Sequence, residues 1–131
     1  MKNYSRQREA ILQVLKEMKT HPTASAVYEK VREILPKISL GTVYRNLSQL
    51  RDSGEILSLT VGDGFEHFDG DAAPHIHLHC QSCKRIEDLV MKGDPAADCA
   101  SRIGFEARTS VYIVYGNCKD CAKKEKQNQN F

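Results

Sequence analysis

Two Cys-x-x-Cys pairs, Cys80-Gln81-Ser82-Cys83 and Cys118-Lys119-Asp120-Cys121, constrain this chain more than any other feature. Tetrahedral zinc takes four soft ligands, and two thiolate knuckles supply them. Any fold that uses both pairs must bring the chain back on itself across the 34 residues between them. That is too long for a compact zinc ribbon but enough for a small α/β module. A dithiol redox site is the competing chemistry; it needs only one pair, opening a helix. Directly before the first pair runs His75-Ile76-His77-Leu78-His79. On a strand, alternate side chains share a face, so the three imidazoles would lie together. Carboxylates are near in sequence: Asp69, Asp71, Glu87 and Asp88. A donor set of imidazole and carboxylate without thiolate suits Fe(II) or Mn(II) better than structural zinc. Cys99 stands alone on the apolar face of an expected helix and reads as a small core residue.

The N-terminal half reads as three helices and a hairpin. Ser5 is a candidate cap for the first, with Ile11, Leu12, Leu15 and Met18 as its apolar stripe. His21-Pro22-Thr23 breaks the pattern. Thr23 caps a second helix with Ala24, Val27, Tyr28, Val31 and Leu35 on one face, ended by Pro36. Ser39 caps a third, with Val43, Leu47 and Leu50 inward and Gly54 closing it. Residues 56–61 and 65–68 then form two strands around Gly62-Asp63-Gly64. This is the winged helix-turn-helix plan, whose third helix enters the major groove. The polar residues of that helix, Ser39, Thr42, Tyr44, Arg45, Asn46 and Gln49, are the candidate DNA contacts, Arg45 being able to pair bidentately with guanine. Charge agrees: residues 1–51 hold ten Lys/Arg against four Glu, while residues 52–131 hold nine Lys/Arg against thirteen Asp/Glu. A basic half joined to an acidic one is the footprint of a nucleic-acid reader with a regulatory part.

The fold class expected is α+β: a winged-helix DNA-binding domain over residues 1–68, then a small α/β dimerisation domain over 69–131 with a four-cysteine zinc site. In the second domain the spacing predicts a strand along the histidine-cysteine stretch from His75 up to a knuckle turn at Cys83-Lys84, strands at 85–90 and 105–115, a helix opened by Asp94 or Pro95 and closed by Gly104, and a frayed polar tail from Lys123. The long apolar strand, and a reader that wants two half-sites, point to a homodimer on a pseudo-palindromic double-stranded DNA operator. No apolar run approaches membrane-spanning length and the N-terminus lacks a signal-peptide core, so a cytoplasmic protein with no membrane partner is expected. The reading is of a regulator and not an enzyme. The competing classes are a thiol redox enzyme using Cys80 and Cys83, and a zinc module that binds protein.

Four motifs in order, His21-Pro22-Thr23-Ala24, Ser39-x-x-Thr42-Val43-Tyr44-Arg45-Asn46-Leu47, His75-x-His77-x-His79-Cys80-x-x-Cys83 and Cys118-x-x-Cys121, resemble the ferric uptake regulator family of bacterial metalloregulators over essentially the whole chain. The resemblance implies structural Zn(II) on Cys80, Cys83, Cys118 and Cys121. It implies a regulatory Fe(II) or Mn(II) site on His21, Asp69, His75, His77 and Asp88, whose occupancy raises operator affinity. It leaves His79 outside that site. Aspartates at 69 and 88, where iron-uptake sensors carry glutamates, resemble the peroxide-responsive branch. There Fe(II) and hydrogen peroxide oxidise a ligand histidine, here His21 or His75, and repression ends. Two departures bear on this. Arg108-Thr109-Ser110-Val111 lacks the histidine a third metal site would need. Arg45 is similar to the iron-uptake branch, which keeps an iron-responsive repressor as the alternative.

Overall fold

The computed structural model describes residues 2–129 and divides into two compact units, one ending at Ala73 and one beginning at Pro74. The division falls five residues beyond the expected 68/69 boundary. Asp69 is the last residue of a wing strand paired with Leu57, so it belongs to the first unit.

In the first unit α1 (Lys2–Glu17), α2 (Ala24–Val31) and α3 (Leu40–Asp52) pack together, and β1 (Leu57–Thr60) pairs antiparallel with β2 (Glu66–Asp69). The expected stripes form the core. Ile11, Leu15, Val27, Val31, Val43, Leu47 and Leu50 are buried, and Ile56 and Phe68 from the hairpin close it. Each fully buried side chain of this kind contributes roughly 1.5–3 kcal/mol. Thr23 and Ser39 are the helix caps expected, accepting from the Ala26 and Thr42 amides at 3.3 and 3.1 Å. Gly54 has a φ of +82°, the left-handed conformation that ends α3. Ser5 is no cap: α1 begins at Lys2 and Ser5 lies inside it. The second helix stops at Val31, well before Pro36.

In the second unit β3 (His75–Cys80) is the centre of a three-stranded sheet. It lies antiparallel to β4 (Ile86–Val90) and parallel to β5 (Tyr112–Gly116). Helix α4 (Pro95–Ser101) makes the crossover and α5 (Lys119–Gln129) follows β5. Asp94 caps α4, and Pro95 sits at its first position, where a missing amide costs nothing. Three expectations differ. The last strand is shorter than 105–115, because residues 106–111 are irregular. The polar tail is helical through Gln129. Cys99 is exposed, not core, since α4 buries none of its residues.

Candidate metal centres and DNA-reading helix

The parallel register of β3 and β5 explains how distant cysteines meet. It sets Cys80 opposite Gly116, and the Gln81 amide donates to the Gly116 carbonyl at 2.7 Å. Both chain segments therefore leave the same end of the sheet, one into Cys83 and the other into Cys118. Lys84, at φ +69°, completes the first knuckle turn, with its amide on the Cys80 carbonyl at 2.9 Å. The four sulfurs lie within 4.8 Å of one another, Cys83 and Cys118 at 3.9 Å. Tetrahedral zinc with Zn–S near 2.3 Å needs sulfurs about 3.8 Å apart. The donors thus fit structural zinc.

The electrostatics fit as well. Cys80 Sγ accepts amides from Cys118 at 3.3 Å and Cys83 at 3.4 Å. These bonds pull its thiol down to about 5, the Cys118 amide contributing most. Cys121 is pushed up to about 12, first by its hydrogen bond with Cys118 and then by burial. Four thiolates this close repel one another, and a divalent cation among them removes that repulsion. A redox dithiol would not gather both pairs at one point.

Imidazole and carboxylate donors occur in each unit. In the first, the Phe68 amide donates to the Pro22 carbonyl at 2.8 Å, which ties the 21–22 segment to β2. Asp69, next on β2, then comes within reach of His21, with Nε2 and Oδ2 3.4 Å apart. His21 has a φ of +55°, a left-handed conformation that costs a non-glycine residue about 1–2 kcal/mol. In the second unit the β3–β4 register sets His77 opposite Asp88, with His75 two residues along the same face. Asp88 Oδ2 is 3.8 Å from His75 Nε2 and Oδ1 is 3.9 Å from His77 Nε2. One ligand atom from each of these three lies within 4.8 Å of the others. His77 donates through Nδ1 to the Tyr112 carbonyl at 3.2 Å. A carbonyl only accepts, so the lone pair is left on Nε2, the nitrogen that faces Asp88. These hard and borderline donors suit iron or manganese.

His79 shares the face of His75 and His77 but lies against Tyr115, ring centroids 5.8 Å apart, with its Nδ1 buried and without a hydrogen-bond partner. It joins neither donor group.

On α3, Tyr44, Arg45 and Gln49 are all exposed, as a DNA-reading face requires. Asn46 does not belong with them. It is buried, and its side-chain amide donates to the Thr42 carbonyl at 2.9 Å. A helix places position 46 three residues from the buried Val43 and four from Leu50, so it turns inward. Ser39 is exposed but occupied as the cap, and Thr42 Oγ1 accepts from Arg45 Nη2 at 3.1 Å.

Sequence reasoning missed two side chains. His67 on β2 bonds through Nδ1 to the His21 carbonyl at 2.7 Å and through Nε2 to Asp63 Oδ2 at 2.6 Å. Asp63, at the wing turn, is held below the ordinary carboxylate range chiefly by that bond, then by the Phe65 amide. The spacing of Asp63 and His67 across a glycine turn was the only available signal.

Residues 2–112 match the Ferric uptake regulator family. The chain belongs to that family. It is 37% identical over 121 residues to the peroxide operon regulator of Bacillus subtilis (strain 168), covering 91% of this chain and 83% of that one. Its structure is similar to that of the Campylobacter jejuni peroxide stress regulator, with a TM-score of 0.74, 30% identity and 91% of each chain covered. It is also similar to the ferric uptake regulator of Pseudomonas aeruginosa with manganese, with a TM-score of 0.65, 25% identity, and 86% and 87% of the two chains covered. Membership makes this a metal-dependent transcriptional regulator of the Fur family, whose members bind DNA and are dimeric. Its cofactors are structural zinc and a regulatory metal. No helix among the described residues is long and apolar enough to cross a membrane.

Proposed function

We propose that the chain is a homodimeric repressor that senses hydrogen peroxide through a regulatory Fe(II). The ligands are His21 and Asp69 from the DNA-binding unit and His75, His77 and Asp88 from the other. The observation that carries the reading is the donor chemistry within each unit: His21 beside Asp69 in one, His75 and His77 beside Asp88 in the other, with no thiol in either group. Similarity to two peroxide regulators supports it. Fe(II) held by these residues would cleave the O–O bond of hydrogen peroxide; overall, one peroxide oxygen would enter a ring C–H of His21 or His75 and the other would leave as water. The protein's own part is to present the ligands. The Tyr112 carbonyl fixes the His77 tautomer, β3 and β4 set His75, His77 and Asp88, and the Pro22–Phe68 bond sets His21 beside Asp69. A metal that binds ligands from both units favours one arrangement of the two, and that preference is what shifts operator affinity. Mn(II) supports repression without the oxidation.

On DNA, Arg45, Tyr44 and Gln49 read or anchor the operator, with Thr42 and Ser39 at the helix start. Arg45 pairs with guanine or phosphate.

The test is mass spectrometry of the zinc-loaded protein after Fe(II) and hydrogen peroxide. A one-oxygen gain is expected on the peptide holding His21 or His75, and none with Mn(II). If iron binds and neither peptide gains oxygen, the iron-responsive reading replaces this one.

A further inference from the structure

We propose that His67 is a positioning residue for the regulatory metal, linking the wing turn to the backbone of ligand His21. This rests on the reading of His21 as a ligand. His67 is mostly buried, with 15% of its side chain exposed, and it bridges two points far apart in the chain. Its Nδ1 holds the His21 carbonyl at 2.7 Å, and its Nε2 holds Asp63 Oδ2 at 2.6 Å. Asp63 in turn accepts the Phe65 amide at 3.0 Å, so the far end of the bridge is the wing turn itself.

The His21 end is the one that needs holding. At φ +55° His21 sits in a conformation that a free chain leaves, and its carbonyl direction is set by that conformation. The His67 bond satisfies this carbonyl, and the Phe68 amide satisfies the next one, at Pro22. Two consecutive carbonyls are thus pinned by two consecutive residues of β2. The side chain they orient comes to 3.4 Å from Asp69, the residue after Phe68. Partners behind a metal-binding histidine commonly control affinity by one to two orders of magnitude. Here the partner grips the backbone, and it carries the effect to the wing. A metal that orders His21 must also order the turn at Asp63, and the reverse holds by linkage.

The experiment titrates Mn(II) into the zinc-loaded full chain, reading bound metal by electron paramagnetic resonance. The variants are His67→Ala, Asp63→Ala, the double variant and His21→Ala, with zinc content and melting temperature recorded for each. His67→Ala is expected to weaken Mn(II) about tenfold. Asp63→Ala should weaken it less, and should add nothing in the His67→Ala background. That non-additivity separates the bridge from simple loss of an anion, which would persist in either background. Amide exchange gives the second readout: Mn(II) should slow exchange at residues 62–65 in the parent protein and not in His67→Ala. Asp63 lies at an exposed turn, so its variant decides the matter even if His67→Ala does not fold. Wild-type Mn(II) affinity in Asp63→Ala and His67→Ala, with affinity lost in His21→Ala, overturns the bridge alone. Wild-type affinity in His21→Ala removes the ligand assignment and the bridge with it.

Discussion

At the scale of single residues, protons and lone pairs decide what each site accepts. Two amides aimed at Cys80 Sγ stabilise a thiolate before any metal arrives, and the crowded Cys121 resists becoming one. Zinc answers both conditions. Cys118→Ser removes one sulfur from the set while leaving the amide of residue 118 on Cys80 in place. Zinc content should fall from about one per chain to near zero, and the C-terminal unit should lose its cooperative melting. Elemental analysis beside near-ultraviolet circular dichroism checks this; a zinc-free variant that melts like the parent would refute the structural role. Among the imidazoles, His77 and His79 show how neighbouring partners separate two like residues. One donates to a carbonyl and presents a lone pair to Asp88, while the other packs edge-on to a tyrosine. Spacing alone treats them as equals.

At the scale of elements, caps and registers do most of the positioning. Asp94 accepts the Ala97 amide and the Tyr112 hydroxyl, so one carboxylate joins the start of α4 to the start of β5. The Tyr112 bond, then one from Ser110, holds this carboxyl below the ordinary aspartate range. The direction of the pH effect follows. The stabilising contribution is complete above the ordinary aspartate value and is lost as pH falls through the lower folded value. In Asp94→Asn the cap survives without the titration. Acid should therefore shift the Tyr112 ring signals in nuclear magnetic resonance of the parent protein, and shift them much less in the variant. An equal shift in both would assign the acid response elsewhere. On α3, the same helical period that buries Val43, Leu47 and Leu50 also buries Asn46. Arg45→Ala should cost about 1–3 kcal/mol of operator binding by gel shift, with folding unchanged. A variant that binds as the parent does would remove Arg45 from the DNA contacts.

At the scale of the whole molecule, the second unit leaves apolar surface uncovered. Leu89, Val90, Ile103, Phe105 and Val114 are all at least half exposed in the single chain. Strand β5 is also at the edge of its sheet. An open, Val- and Tyr-rich edge is a template for another strand, and a second copy is the partner in the homodimer proposed above. Val114→Lys places a charge on this strand, and the sedimentation coefficient should drop from that of a dimer to that of a monomer. A dimeric variant would move the interface to another face.

Much of this protein was determined locally and can be read from the chain. Helical spacing placed Val27, Val31, Val43, Leu47 and Leu50 in the core, and Thr23 and Ser39 at the caps, because those features depend on residues three or four apart. The two cysteine pairs announced their metal because four thiolates have few other uses in that arrangement. Longer-range facts were out of reach. Only the parallel register of β3 and β5 decided which end of the sheet the cysteines share. The inward turn of Asn46 depended on the packed face of α3. The exposure of Cys99 depended on how α4 packs: among the described residues it is tied to Tyr112 at its start but buries none of its side chains. The His67 bridge required a left-handed His21, whose carbonyl meets a strand 46 residues away. Local periodicity carries no record of such a meeting, because it forms only when the hairpin folds back onto the start of α2.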